Sequence, residues 1–276
     1  MKKKILAAIL ALPCLLIAEN GFALDVGFVP RAAVGYTFYS FEYTEQQLSD
    51  PKTTLADLEV NLMTGTLGGT LTMDMLYFDA YVQQSTTGSD DYLIDGTDPY
   101  DWDVDVLDYA FTLGFNVWRT MAVYGGWKGH ETTLEGSAVG EKWDAEFDTN
   151  GWFTGLSYGI PIGASNMLSF NVAYAWLEGD IEDHQIFDGS GNLPAGTTRD
   201  FRANNGDADG LTIGASWKGY FTDALSYTLS ADWYDYSYED FDHEYSYNGA
   251  EYTQTNWTDT VDEQAFSFRF ILSYDL

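Results

Sequence analysis

The sequence predicts an all-β chain that folds as a transmembrane antiparallel up-and-down β-barrel of ten strands, with eight or twelve strands as alternatives. The first observation is that apolar and polar residues alternate with a period of two over most of the chain. Many of these segments reach the ~9–11 residues that a tilted membrane strand requires. The second is that no segment beyond the N-terminus reaches the ~18 consecutive apolar residues of a transmembrane helix.

The N-terminus predicts a secretory signal peptide. Lys2, Lys3 and Lys4 precede an apolar run over 5–18, and the small residues Gly21 and Ala23 fit positions −3 and −1 of a cleavage site. We therefore assign 1–23 to the signal peptide and 24–276 to the barrel domain. Cleavage would remove the only cysteine, so no disulfide is expected despite export.

The last predicted strand, 265–276, shows the alternation most clearly. Its apolar face consists of Phe266, Phe268, Phe270, Leu272, Tyr274 and Leu276. The intervening positions are mostly polar, as in a strand with one face in lipid. The ending resembles the C-terminal assembly signal of Gram-negative outer-membrane β-barrels, with Leu276 in place of their usual phenylalanine. That resemblance implies an outer-membrane location, periplasmic chaperones and the barrel-assembly machinery as partners, and contact with outer-membrane lipid and lipopolysaccharide.

Nine further strands follow from the same pattern. They are predicted at 29–43, 56–72, 75–86, 103–117, 120–133, 149–162, 167–179, 208–221 and 224–239. Short turns alternate with long polar loops, which are predicted at 44–55, 87–102, 134–148, 180–207 and 240–261. Both termini then lie at the short-turn end, as in bacterial barrels whose long loops face the cell exterior. An even strand number closes the sheet without an exposed edge, whereas a soluble β-sandwich is the alternative.

If the apolar faces meet lipid, the alternate positions point into the lumen. The charged residues predicted to point inward are Arg31, Glu59, Asp79, Asp108, Lys128, His130, Lys218, Asp232 and Arg269. Charges removed from water need partners, and a ten-stranded barrel leaves little internal space. We therefore expect a lumen largely filled by ion pairs, with a narrow porin-like channel for small solutes as the alternative.

The charge of the chain is strongly acidic, with 43 Asp and Glu against 12 Lys and Arg and a formal net charge of −31. This excludes a nucleic-acid-binding function, which requires a basic surface. Much of the acidic surplus lies in the loops predicted at 87–102, 180–207 and 240–261, where aromatic residues accompany it. Such a surface can attract cations or basic peptides.

No cofactor is expected, apart from a divalent cation such as calcium at the acidic loops. The residues that could supply oxygen ligands are Asp95, Asp98, Asp101 and Asp103. The three histidines do not show the spacing of zinc ligands.

One group of residues raises a catalytic alternative. Asp101 and Asp103 end the second long loop, and Glu182 stands two positions before His184 on the fourth. This arrangement is similar to that of the omptin proteases, which carry an Asp pair and an Asp-x-His on these loops, although Glu182 replaces the aspartate here. The resemblance implies that His184, oriented by Glu182, activates a water held against the Asp pair and that the substrates are basic peptides. The interpretation we adopt is a non-enzymatic outer-membrane barrel with a surface-interaction or envelope role.

Overall fold

The computed structural model describes residues 26–47, 52–92, 100–189, 193–252 and 257–276. The strands are β1 (Val26–Gln47), β2 (Thr53–Met73), β3 (Leu76–Ser85), β4 (Gly88–Tyr92), β5 (Tyr100–Trp118), β6 (Met121–Ala138), β7 (Glu141–Ile162), β8 (Asn166–Phe187), β9 (Thr198–Tyr220), β10 (Leu225–Glu239), β11 (Asp242–Tyr247), β12 (Ala250–Tyr252) and β13 (Trp257–Tyr274). Within the described residues, no helix has the length and apolarity needed to cross a membrane. The predicted signal peptide, 1–23, lies outside them.

The strands form one closed antiparallel barrel. Each wall strand pairs with its neighbour along the chain, and β13 pairs with both β10 and β1, which closes the sheet. Because β3 and β4 both pair with β5, they act as one wall strand, and the wall has ten strands as predicted. The β11–β12 hairpin adds to the end of β9 beyond the point where β10 leaves it.

The turns agree with the prediction, but the strands are longer than expected. The short connections fall after Met73, Trp118, Ile162 and Tyr220. The prediction of long loops at 134–148 and 180–207 was wrong, because most of these residues belong to β6, β7, β8 and β9. With 22 residues, β8 is about twice the length that a tilted membrane strand needs. The barrel wall therefore continues well beyond the bilayer at the long-loop end, which we call the outer section.

Along the long strands, the apolar residues change from the outward-facing positions to the inward-facing positions, and β5 shows this directly. Near the short-turn end, Leu113 and Phe115 are exposed on the outward face. Near the other end of the same strand, Trp102 and Val104 are buried inside, whereas Asp101 and Asp103 are exposed. The outer section therefore has an apolar interior and a polar exterior, like a soluble protein, and the membrane section has the opposite arrangement.

An outward-facing band of exposed apolar side chains, the lipid belt, surrounds the membrane section. Its members include Val34, Phe38, Leu67, Leu113, Phe115, Leu156, Ile160, Phe170, Val172, Ile213 and Leu229. The residues of the predicted C-terminal assembly signal, Phe268, Phe270, Leu272, Tyr274 and Leu276, are also exposed. Those within β13 share its outward face, where a period-two apolar pattern places them.

Acidic residues follow the lipid belt on its outer side. On nine wall strands, an outward-facing carboxylate stands within a few residues of the last large apolar residue of the belt. This carboxylate ring consists of Glu42, Glu59, Asp105, Glu131, Asp148, Glu178, Asp209, Asp235 and Asp262. Most of its members are flanked in sequence by buried residues, which fixes their outward direction.

The interior of the outer section is filled by large apolar side chains, which we call the apolar core. Trp102 is 1% exposed, and its ring centroid lies 5.2 Å from that of Trp143. Phe147 lies between Phe41 and Tyr238, with centroid distances of 5.7 and 4.9 Å. Leu58, Val60, Val104, Leu134, Ile181, Phe201 and Val261 complete the packing. These side chains come from strands all around the barrel, so they meet across the lumen.

Candidate functional site

Two arginine–aspartate pairs occupy the lumen within the membrane section. The Nη1 and Nη2 atoms of Arg31 both donate hydrogen bonds to the Asp79 carboxylate, and the Nη2–Oδ2 distance is 2.7 Å. Arg269 Nη2 lies 2.6 Å from Asp232 Oδ2. Charge-assisted contacts of this kind stabilise ions that the barrel has removed from bulk water.

A histidine forms the next layer of the lumen. The ring nitrogens of His130 lie 2.6 Å from Asp108 Oδ1 and 2.7 Å from Glu263 Oε1. Nδ1 forms a hydrogen bond with Asp108 and Nε2 forms one with the Thr132 hydroxyl at 2.8 Å, so the ring is fixed between the two acidic side chains. The Lys128 ammonium donates a hydrogen bond to the Tyr236 hydroxyl at 3.2 Å and lies over its ring. Asp108, Lys128 and His130, which were predicted to point into the lumen, thus lie in one network.

Glu263 belongs to this network, although it is not among the predicted luminal residues. It occupies an odd position of β13, like Ala265 and Arg269, but the predicted strand began only at residue 265. Extending the alternation by one step would have found it. Among the other predicted luminal residues, Lys218 Nζ lies 5.1 Å from the ring centroid of Tyr220. The structure places Glu59 on the exposed outward face of β2, between the buried residues Leu58 and Val60, because the phase of β2 puts even positions inside.

The predicted catalytic residues lie on the outer wall, not at a common point. Asp103 accepts a hydrogen bond from Ser89 Oγ at 2.7 Å, and Asp101 shares its exposed face. His184 Nδ1 lies 2.5 Å from Asp200 Oδ1, a residue that the prediction did not include. Glu182 Oε1 lies 3.5 Å from Arg202 Nε, so the Glu182 carboxylate pairs with Arg202 and does not orient His184.

The strand register measures the separation of these groups. Asp103 lies opposite Glu135, Glu135 opposite Asp144, and Asp144 opposite His184. Three inter-strand steps of ~4.8 Å place the Cα atoms of Asp103 and His184 roughly 14 Å apart. A general base must reach its reacting proton directly or through one water, so these residues do not form the shared site that the omptin resemblance implies.

The predicted calcium ligands are only partly described. Asp95 and Asp98 lie outside the described residues, and Asp101 and Asp103 point outward. Another acidic group, Glu131, Glu146 and Asp148, has one oxygen of each residue within 4.8 Å of the others on the outer wall. Oxygen ligands at such spacing are compatible with a calcium ion.

A further group of ionisable residues lies at the outer end of the apolar core. We call it the mouth cluster, and it consists of Glu45, Asp183, His243 and Asp259. His243 Nε2 lies 2.6 Å from Asp259 Oδ2, and the Asp259 side chain is fully buried. Asp183 and His243 line an open cavity of about 860 Å³, together with Asp144, Glu146, Glu182, Asp200, Arg202 and Tyr245.

Neighbouring acids of the mouth cluster raise the pKa values of Asp183 and Glu45. Burial, reinforced by the neighbouring Glu45 carboxylate, raises the pKa of Asp183 to about 8. Burial, reinforced by Asp259, raises the pKa of Glu45 to about 7. Contact with the Asp259 carboxylate raises the pKa of His243 above its ordinary value. The cluster therefore combines a close His243–Asp259 contact with two carboxyl groups whose pKa values are raised to about 7 and about 8.

The mouth cluster is not apparent from the sequence pattern. The first predicted strand ends at residue 43, two positions before Glu45, and Asp183, His243 and Asp259 fall in predicted loops. Continuing the alternation with reversed phase along β1, β8 and β13 is the signal that could have located three of them.

Comparison with solved structures supports the fold. No protein-family model and no curated protein sequence matches the chain. Among solved structures, the outer membrane protease OmpT from Escherichia coli is similar, with a TM-score of 0.61 and 14% identity over 94% of this chain and 99% of that chain. The outer membrane protein OprG from Pseudomonas aeruginosa aligns over 92% and 97% of the two chains, with 8% identity and a TM-score of 0.45. The fold is that of a bacterial outer-membrane β-barrel, which is consistent with the predicted location in that membrane.

Proposed function

We propose, starting from an outer-membrane β-barrel fold, that this chain is a non-enzymatic surface protein with a closed lumen whose acidic outer section binds cationic partners. The observation that carries the proposal is that the apolar residues face outward in the membrane section of the wall and inward in the outer section. This arrangement directs the large apolar residues into the lumen of the outer section and the acids to its exterior.

Closure of the lumen is supported by two successive obstacles. The first is the set of ion pairs in the membrane section, including Arg31–Asp79 and Arg269–Asp232. The second is the apolar core, in which Trp102 and Tyr238 are essentially inaccessible to solvent. A hydrated ion would have to displace packed aromatic rings to pass, and this argues against the narrow-channel alternative.

The exterior of the outer section supports a role in binding cations. Carboxylates stand opposite one another on neighbouring strands, as in the Asp103, Glu135 and Asp144 row. Like charges in such a row repel one another and create a negative field that draws in cations. Basic peptides and divalent cations that bridge the wall to anionic lipopolysaccharide headgroups are the partners that fit this field. The trio Glu131, Glu146 and Asp148 has the oxygen spacing for such a cation.

The endopeptidase alternative receives no support from the geometry. The likeness to a solved outer-membrane protease extends to the fold alone at 14% identity. The residues that the resemblance implies lie on separate strands of the outer wall, about 14 Å apart for Asp103 and His184.

Conductance of the refolded chain in planar bilayers tests the closed lumen. We expect no steady openings in wild-type protein whose insertion is verified by its heat-dependent gel mobility. A porin inserted in the same bilayers is the control that the assay detects an open lumen, because a variant of the apolar core alone would leave the ion pairs of the membrane section in place. Stable openings of porin size in the wild type would contradict the proposal.

A further inference from the structure

We propose that a groove on the outside of the barrel wall is a binding site for one quaternary ammonium group, such as the trimethylammonium group of choline. The groove, which we call the tryptophan groove, is formed by Trp127, Trp152 and Trp176 together with acidic residues on their outer side. The inference rests on the proposed function in one respect, because it assigns a chemical class of cationic partner to one point of the acidic wall.

The three tryptophans stand side by side on adjacent strands. In the register of the sheet, Trp127 of β6 lies opposite Trp152 of β7, and Trp152 lies opposite Trp176 of β8. Because neighbouring strands are ~4.8 Å apart, the row extends roughly 10 Å along the wall. Trp152 and Trp176 are 67% and 53% exposed, so their indole rings project from the wall. An aromatic surface is therefore available to a ligand from outside the barrel.

Neighbouring tyrosines hold the tryptophan row in position. The Tyr109 ring centroid lies 5.7 Å from that of Trp127, and the Tyr174 ring meets Trp176 edge to face at a centroid distance of 5.1 Å. Gly129 leaves room for the Tyr109 ring, since a Cβ atom at this position would come within 2.5 Å of it. The indole rings are thus preorganised, and less conformational entropy is lost when a ligand binds to them.

Acidic side chains border the tryptophan row. They lie on β8, on β9 and at the outer end of β10, and they are Glu178, Asp207, Asp209, Glu239 and Asp240. Asp209 lies opposite Trp176 at the end of the row and accepts a hydrogen bond from the Tyr174 hydroxyl. Among the described residues that line the groove there is no lysine, arginine or histidine. The charge of the groove therefore complements a cation and repels an anion.

The combination of indole rings and carboxylates favours a quaternary ammonium group. A cation within ~6 Å of a ring centroid is attracted by the aromatic face, most strongly when the ring is that of tryptophan. A quaternary ammonium group has no N–H to donate, so it needs no hydrogen-bond acceptor, and the nearby carboxylates supply attraction at longer range. A phosphate finds no cationic partner in the groove, so the ligand is a water-soluble quaternary ammonium compound without an adjacent phosphate, not a phosphocholine lipid.

The spacing of the carboxylates disfavours a metal ion in the groove. Calcium binds oxygens at about 2.4 Å, so its ligand atoms must lie within roughly twice that distance of one another. Among the described acidic and histidine residues, Glu131, Glu146 and Asp148 meet this spacing, whereas the acids of the groove do not. The cavity of about 930 Å³ instead has room for an organic ligand larger than the ammonium group alone.

Saturation-transfer difference NMR tests the site on the refolded full chain in nanodiscs of phosphatidylethanolamine and phosphatidylglycerol, with empty nanodiscs as the blank. The probe is choline, followed through its N-methyl protons. The uncharged control is neohexanol, the isosteric alcohol in which carbon replaces nitrogen, and phosphocholine tests the effect of an adjacent anion. Trp152→Leu removes the indole ring but keeps an apolar side chain. Trp118→Leu is the matched control, because Trp118 is 73% exposed at the short-turn end of the wall.

We expect wild-type protein to bind choline at least about fivefold more tightly than neohexanol or phosphocholine. Trp152→Leu should weaken choline binding about fivefold, whereas Trp118→Leu should change it less than about twofold. Equal affinity for choline and neohexanol would overturn the site, as would tighter binding of phosphocholine or an unchanged choline affinity in Trp152→Leu. Preserved heat-dependent gel mobility establishes that both variants are folded.

A parallel titration with a trilysine peptide that has blocked termini separates this site from the proposed function. Trilysine binding without choline binding to the wild type would overturn the tryptophan groove as a site and leave the cation-binding role of the acidic wall intact. Absence of binding by both probes would overturn both.

Discussion

Replacing Phe147 by alanine tests whether the outer section has a packed core or a water-filled lumen. The Phe147 ring is 1% exposed and contacts Phe41 and Tyr238 edge to face. Burying a phenylalanine side chain contributes ~1.5–3 kcal/mol, and each aromatic pair adds ~0.5–1.5 kcal/mol. Since the rigid barrel wall limits collapse around the gap, we expect Phe147→Ala to lower the free energy of unfolding by about 3–5 kcal/mol.

Urea unfolding in lipid vesicles, followed by tryptophan fluorescence, measures this change. With a denaturant dependence of about 3 kcal/mol per molar, a loss of 4 kcal/mol lowers the midpoint by more than about 1 M. Val139→Ala is the control, because Val139 is 76% exposed in the turn between β6 and β7 and should change the stability by less than about 0.5 kcal/mol. A loss below about 1 kcal/mol for Phe147→Ala would mean that the side chain faces water, and the packed-core interpretation would be wrong.

Two further predictions concern the ionisable groups. His130→Ala leaves the buried Asp108 and Glu263 side chains without their shared partner, so we expect a loss of about 3–5 kcal/mol in the same assay. His184→Ala on the exposed outer wall should cost less than about 1 kcal/mol, and similar losses for both would refute the luminal network. The raised pKa of Asp183 means that the unfolded chain ionises this residue near pH 4 and the folded chain only near pH 8, so its contribution becomes increasingly unfavourable as pH rises between these values. Asp183→Asn should therefore raise the thermal midpoint relative to wild type at pH 8.5 and leave it nearly unchanged at pH 4, and a lower midpoint at pH 8.5 would contradict this sign.

The sequence was sufficient to predict the membrane section. Lipid outside and a narrow lumen inside impose the same period-two pattern on every strand, so the ten wall strands and their short turns could be located. The alternation also identified Arg31, Asp79, Asp232 and Arg269 as inward positions. It could not identify the pairing among them, because pairing depends on the register between strands that are distant in sequence.

The outer section could not be predicted in the same way. Once the wall leaves the bilayer, its outward positions become polar and its inward positions become apolar, and acidic segments such as 134–148 then resemble loops. The partners of His184 and Glu182 are cross-strand neighbours on β9, Asp200 and Arg202, and no local spacing indicates such contacts.

The carboxylate ring has a consequence for how deeply the barrel is immersed. Sinking by two residues, roughly 6–7 Å along a strand, would carry ring carboxylates such as Glu178 and Asp209 into hydrocarbon. Rising by the same amount would leave apolar belt residues such as Phe170 and Ile213 in water. Vertical displacement is therefore unfavourable in both directions, and the chain encodes its own depth. The same level divides the molecule into a part whose folding depends on lipid and a part whose folding follows the rules of water-soluble proteins.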